Sequence, residues 1–314
     1  MDKKKMLISI VTPCYNEEEN VEEVFQQVKK IFADLPDYDY EHIFIDNASK
    51  DRTVEILKRI AGYDANMKVI LNSRNFGHIR SPYHAMLQAK GDAVISIVAD
   101  LQDPPSMIVD FIKKWEAGYK IVVGIKNYSE ESSVMFKIRQ LYYRVSSRLS
   151  EVELLKDFTG FGLYDKKIID ILRQINDPYP YFRGLITEIG FEIAKIEYTQ
   201  PARRRGITKN NFYTLYDIAM LGITNHSKVP LRLAAMLGFA ASVSSLLIAS
   251  CYFIYKLIFW NTFAVGIAPL VIGLFLFSSV QLFFLGILGE YIGSIHTQVL
   301  KRPLVIEKER INFD

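Results

Sequence analysis

Two stretches near the carboxyl end constrain this chain more than any other feature. Leu233 to Tyr255 carries no charged residue, and neither does Asn261 to Gly289. Each exceeds the roughly 20 residues needed to cross a bilayer core of about 30 Å. The break between them, Lys256 to Trp260, is short, so the pair is expected to form a helical hairpin with both ends on one side. Arg203, Arg204, Arg205, Lys209, Lys228 and Arg232 precede the hairpin, and Lys301, Arg302, Lys308 and Arg310 follow it. Positive residues on both flanks predict that both termini are cytoplasmic. Buried helices of a soluble core rarely run so long without a charge, so an integral membrane protein is the expectation.

The remainder of the 314 residues is long enough to bury a full α/β core. Leu7–Val11, His42–Ile45, Lys68–Leu71, Ala93–Val98 and Ile121–Val123 are apolar, β-branched runs separated by segments of helical spacing. Buried parallel strands read as continuous runs of this kind. Asn16 or Glu17 is expected to open one helix, Ser49-Lys50-Asp51 to cap the next and Pro104-Pro105 to open another. Gly91 and Gly118 fit the residues that end helices before strands. Met6–Val11 is too short for the apolar core of a signal peptide and reads as a strand. Cys14 and Cys251 stand in unrelated segments, which argues against a disulfide framework and for a reducing compartment. A net charge of +3 gives no reason to invoke nucleic acid.

Within 134–150, Met135, Ile138, Tyr142, Val145 and Leu149 recur at helical spacing, with Lys137, Arg139, Arg144 and Arg148 among them. Such a helix lies on an anionic membrane surface or packs on the domain. A second juxtamembrane helix is expected within 211–230. The domain limits read as 1–210 for the catalytic unit, 231–292 for two spans and 293–314 for a cytoplasmic tail.

Three polar clusters end successive strands: Thr12 to Glu18, Ile45 to Asp51 and Ala99 to Pro105. In open α/β sheets ligands bind at the carboxyl ends of strands, so three such clusters in consecutive units mark a site. No G-x-G-x-x-G follows the first strand and no G-x-x-x-x-G-K-[ST] occurs, so a classical dinucleotide or P-loop site is unsupported. Asp100 and Gln102 offer two oxygens, two residues apart and so aimed alike, to a divalent metal that takes its other ligands from phosphate and water. His78 and His84 lack the i, i+4 spacing of a metal pair, and Glu290 ends the second span.

Val11-Thr-Pro-Cys-Tyr-Asn-Glu-Glu-Glu-Asn20, Asp46-Asn-Ala-Ser-Lys-Asp-Arg-Thr53, Ser73-Arg-Asn-Phe-Gly77 and Ala99-Asp-Leu-Gln-Asp-Pro-Pro105 together resemble the ordered motifs of family 2 glycosyltransferases. The branch is the polyprenyl-phosphate one, with dolichol-phosphate mannose synthases and, closest, bactoprenol glucosyltransferases. The resemblance continues through Asp157-Phe-Thr-Gly-Phe-Gly162, Phe182-Arg-Gly184 and Arg203-Arg-Arg-Gly-Ile-Thr-Lys209 to the two spans, covering nearly the whole chain.

It implies an α/β fold of GT-A type that binds a nucleotide-sugar, carried by a two-helix transmembrane hairpin, with an inverting reaction and Mg²⁺ or Mn²⁺ as cofactor. Pro13, Tyr15 and Glu17 would line the nucleoside pocket, with Asp46 on the base or ribose. Asp100 and Gln102 would meet metal and diphosphate, and Lys126, Arg203 and Lys209 would contact phosphates. Arg139 matches a position near the lipid phosphate, and Asp157 the catalytic carboxylate. The donor expected by this resemblance is UDP-glucose and the acceptor a polyprenyl phosphate. Two spans leave little room for moving the product across the bilayer, so another protein or a homo-oligomer is expected. Two departures stand out: Val98 replaces the first Asp of the D-x-D motif, and Asn47-Ala48 replaces an acidic-plus-small pair. A processive polysaccharide synthase would need a Q-x-x-R-W-type motif and more spans, and neither is found. A non-catalytic membrane scaffold would have no need of Asp100, Gln102 and Asp157.

Overall fold

The protein is described by a computed structural model covering residues 5–128, 155–201, 220–222, 224, 227–259 and 267–313. Its apolar runs form the expected parallel strands β1 (Met6–Cys14), β2 (Tyr38–Asp46), β3 (Met67–Asn72) and β4 (Ala93–Ser96). Strands β5 (Ile121–Tyr128), β6 (Phe158–Asp165), β7 (Ile193–Thr199) and β8 (Glu307–Ile311) complete one sheet of order β7-β5-β6-β4-β1-β2-β3-β8. β6 runs antiparallel to both neighbours, and β8 runs antiparallel to β3 at the far edge.

Helices cover both faces. On one side lie α1 (Val21–Ala33), α2 (Thr53–Ala61) and α4 (Ile108–Glu116). On the other lie α3 (Gly77–Gln88), α5 (Lys166–Ile175) and α6 (Phe182–Glu188). The inward face of α1 is Val21, Val24, Phe25, Val28 and Phe32, the i, i+3, i+4 rhythm of a helix on a sheet. Two further helices, α7 (Val229–Ile258) and α8 (Ile267–Leu300), are long and apolar enough to cross a membrane. Their apolar windows are almost wholly unburied, 0% and 6%, which is unlike core helices. Both cysteines are free, Cys14 buried and Cys251 exposed.

Local expectations need three corrections. α1 starts at Val21 rather than at Asn16 or Glu17, because Asn16 takes a left-handed conformation (φ 55°) and residues 16–18 bond to the next loop. Gly118 does end a helix at φ 104°, but Gly91 serves another purpose: a Cβ there would sit 2.6 Å from Ser9 Oγ and 2.8 Å from the Leu7 carbonyl. The segment past α8 is not a loose tail. It returns as β8, so the sheet draws its last strand from beyond residue 293.

Two buried side chains brace the strand ends. Asn47 uses its whole amide: Nδ2 donates to Asn75 Oδ1 (3.0 Å) and the Gly77 carbonyl (3.1 Å). Its Oδ1 accepts from Asn72 Nδ2 (3.2 Å) and the Phe76 amide (2.8 Å). The acidic residue usual at this position could not make the two donations. His42, fully buried between Phe25 and Phe44, lies 2.8 Å from Thr12 Oγ1, and burial pushes its pKa down to about 3.

Replacing Asn47 by Asp should destabilise the fold by about 1–3 kcal/mol, measured by thermal unfolding, because two acceptors then face a carboxylate. His42 is neutral in the fold but takes a proton in the unfolded chain below about pH 6.5. Stability present above that pH is therefore lost on acidification toward pH 4, and His42→Gln should flatten that slope in unfolding curves.

Candidate active site

All three polar clusters emerge on one sheet edge, the carboxyl end of β1, β2 and β4. Cys14 pairs with Asp46 in the register of β1 and β2, and the Ile97 amide donates to the Val11 carbonyl (3.0 Å) just past β4. The first two loops are zipped together. Asn16 N donates to Ser49 Oγ (2.8 Å), Glu17 N to Thr53 Oγ1 (2.9 Å), Glu18 N to Asp51 Oδ2 (3.2 Å) and Lys50 N to Asn16 Oδ1 (2.8 Å). Pro13, Tyr15 and Glu17 on this stretch are all half-buried, and Pro13 pairs with Ile45, next to Asp46, across the strands. Asp46 itself is 1% exposed. Its Oδ2 accepts the Ser49 amide (3.0 Å) while Oδ1 is buried without a partner. Burial raises its pKa, opposed by hydrogen bonds from Ser49 and Ala48. An orphaned buried acceptor at a ligand-binding edge fits a donor supplied by a bound molecule.

The third loop turns sharply at Leu101 (φ 59°), with the Gln102 amide donating to Asp100 Oδ1 (3.1 Å). Asp100 and Gln102 are half-buried, and Val98 at the D-x-D position is 36% exposed. Asp103 turns inward instead. It is 3% exposed, accepts from Tyr198 Oη on β7 (2.9 Å), and burial pushes its pKa up to about 6 against the pull of Tyr198 and Lys126. Lys126 Nζ donates to Gln200 Oε1 (2.8 Å), so two links tie this loop and β5 to the end of β7. Among the described residues no group of three or more His, Cys, Asp or Glu could hold a metal. The donor set fits a hard cation only in the form that uses Asp100, Gln102, phosphate and water.

Asp157 reaches the same edge because β6 runs down from it. It is half-buried at φ 56°, and its carbonyl accepts the Lys126 amide (3.2 Å). Arg183, at the start of α6, donates to the neighbouring Phe158 carbonyl (3.3 Å). Asn16, Ala48, Leu101 and Asp157 are thus four non-glycine residues held left-handed within the four motif loops. Such strain, of order 1–3 kcal/mol each, gathers where a site is pre-organised.

The structure therefore brings together Pro13, Tyr15, Glu17, Asp46, Asp100, Gln102, Lys126 and Asp157. Arg139, Arg203, Lys209 and the proposed surface helix at 134–150 lie outside the described residues, as does most of 211–226. His84 is bonded to Glu307, and His78 is exposed. Sequence reading gave no role to Asp103, Tyr198, Gln200 or Arg183. Asp103 and Arg183 lay inside recognised motifs; Tyr198 and Gln200 carried no signal, since their part depends on β7 meeting the third loop.

The family profile described as Glycosyl transferase family 2 matches residues 9–173. The chain is 35% identical over 308 residues to the uncharacterized glycosyltransferase YkcC of Bacillus subtilis, covering 98% of this chain and 94% of that one. It is 32% identical over 305 residues to the bactoprenol glucosyl transferase of Shigella phage SfII, covering 97% and 98%. The uncharacterized glycosyltransferase sll0501 of Synechocystis is 33% identical over 300 residues, covering 95% and 94%. With strand-end loops of this geometry and likeness along almost its entire length, the chain belongs to glycosyl transferase family 2 and is a glycosyltransferase of GT-A type.

Proposed function

We propose that the protein transfers glucose, with inversion, from UDP-glucose to the phosphate of a polyprenyl phosphate at the cytoplasmic face of the membrane. The choice of glucose and of the lipid draws on relatives named bactoprenol glucosyl transferase. The observation that carries the reading is the path of the chain around α7 and α8. Leu300 ends α8, and Glu307 already pairs with Asn72 at the carboxyl end of β3. The connecting residues span at most about 25 Å. Gln298 Nε2 donates to Asp177 (2.8 Å), and Tyr291 Oη donates to the Ser227 carbonyl (2.6 Å) just before α7. With α7 and α8 as membrane spans, the edge that bears Asp46, Asp100 and Asp157 faces the bilayer, where a lipid headgroup can reach it. The flanking positive charges support a cytoplasmic position for that edge.

In this reading Pro13, Tyr15 and Glu17 line the nucleoside pocket and Asp46 binds base or ribose. Asp100 and Gln102 would hold Mg²⁺ or Mn²⁺ against the diphosphate. A bound divalent ion would neutralise charge developing on the leaving nucleoside diphosphate. Lys126 adds its own positive charge there. Arg139, Arg203 and Lys209 are assigned to phosphates, the first to that of the acceptor.

A phosphate monoester has a second pKa near 6 and is mostly dianionic at neutral pH, so the acceptor needs no strong base. Asp157 accordingly orients the acceptor and steadies the positive sugar centre. Asp103 touches no substrate; through Tyr198 it fixes the loop that carries Asp100 and Gln102. Passage of the product across the bilayer is left to another protein or to a homo-oligomer.

Membranes supplied with radiolabelled nucleotide-sugars and polyprenyl phosphate should yield label in the lipid extract. Asp100→Ala and Asp157→Ala should each lose about 100-fold or more of that transfer while still folding and entering membranes. Full transfer by either variant removes that residue from the mechanism. Tyr198→Phe should raise the Mn²⁺ concentration needed for half-maximal binding of UDP, read by calorimetry, with little change in melting temperature; an unchanged metal requirement would restrict Asp103 and Tyr198 to a structural part.

A further inference from the structure

Three arginines meet on the rim where β8 follows α8, and none is ion-paired among the described residues. Among the described residues the arginines paired to carboxylates are Arg52, Arg59, Arg173 and Arg310. Arg74 and Arg80 instead approach the ring of Phe76, their guanidinium carbons 4.0 and 5.5 Å from its centroid. Arg74 Nη1 donates to the Asn75 carbonyl (3.0 Å), and Arg80 Nη2 donates to the Pro303 carbonyl. Arg80 Nε is buried with no partner. The bond to Pro303 brings the adjacent, exposed Arg302 close enough for its charge to act on Arg80. Burial lowers the pKa of Arg80, and the nearby charges of Arg74 and then Arg302 lower it further, against Tyr179.

Gathering like charges around a partly desolvated guanidinium costs free energy, which a bound anion offsets. Guanidinium forks match phosphate oxygens in pairs. The anion is not the donor's diphosphate. β3 stands three places from β4 in the sheet, about 14 Å from the Asp100–Gln102 loop at ordinary strand spacing. Arg302 follows Leu300, the last residue of α8, by two positions, and Lys301 adds a further charge. The cluster thus continues directly from the end of an apolar helix.

We propose that Arg74, Arg80 and Arg302 cradle the phosphate of an anionic membrane phospholipid, and that this contact seats the β3 flank of the catalytic unit on the bilayer. The inference rests on α7 and α8 being membrane spans. The C-terminal strand then has a second task besides closing the sheet: it carries one arm of the cradle. Arg302 lies in no helix or strand, so its replacement separates binding from folding.

The test uses the full chain in nanodiscs of phosphatidylcholine, with or without phosphatidylglycerol. Lipid retained after detergent extraction is counted by native mass spectrometry, and sugar transfer is measured in parallel. Wild type should retain phosphatidylglycerol, and Arg302→Gln and Arg80→Gln should each weaken retention about fivefold. Transfer by the variants in pure phosphatidylcholine should match wild type, whereas the gain on adding phosphatidylglycerol should shrink. Retention equal to wild type in Arg302→Gln and Arg80→Gln overturns the cradle while leaving the transferase reading intact. Displacement of the lipid by millimolar inorganic phosphate, or by polyprenyl phosphate in preference to phosphatidylglycerol, overturns it too. Arginine-dependent retention without transfer by any form upholds the cradle and removes the proposed reaction instead.

Discussion

The pairing of β8 with β3 is the constraint on which the arrangement depends. A strand drawn from beyond the second apolar helix makes the chain leave the sheet after β7 and re-enter it at β8, on opposite flanks but both at the carboxyl end. Its hold is distributed: the Ser73 amide donates to the Ile306 carbonyl (2.9 Å), Asn312 Nδ2 reaches the Ala61 and Met67 carbonyls (both 2.9 Å), and Lys58 pairs with Glu309 (2.6 Å). Exposed ion pairs such as the last contribute little alone. Backbone pairing and the packing of Leu304 and Phe313 against the core carry the attachment. The same pairing brings Pro303, and with it Arg302, to Arg80 on α3, so the end of the second apolar helix and this flank of the sheet are one construction.

The chemistry depends on a second layer of order, the zipper between the first two loops. Backbone amides of residues 16–18 are spent on side chains of the next loop rather than on starting α1. That delays the helix and leaves Asp46 buried at the carboxyl end of β2 with one oxygen unpartnered. Holding Asn16, Ala48, Leu101 and Asp157 in left-handed conformations has a cost, which is borne because each loop is bonded on both sides. The third loop is tied down differently, through a buried Asp103 and Tyr198. The loop that would meet the metal is therefore steadied by a strand formed almost a hundred residues later.

Much of this was legible in the sequence, and the gaps have physical causes. β1 to β5 were readable because strands buried on both faces are unbroken apolar runs. β6 was missed because its two glycines, Gly160 and Gly162, read as loop. β8 reads Glu-Lys-Glu-Arg-Ile, which resembles a solvated tail; it is an edge strand whose charges find partners on α2 and α3. No local pattern announces a pairing that spans most of the chain. The site carboxylates were visible as clusters at strand ends, whereas the residues that position them are scattered and were not. Asn47, read as a departure from the family pattern, proved to need its amide.

The central claim is that the edge bearing Asp46, Asp100 and Asp157 lies against the bilayer. Lys50 is exposed on that edge and Lys90 on the opposite one. Fluorophores placed at each position by cysteine substitution, in nanodiscs whose lipids carry a headgroup nitroxide, report the distance to the surface directly. Strong quenching at position 50 with little at position 90 is the result this account predicts. Equal quenching at both, or the reverse order, would contradict it.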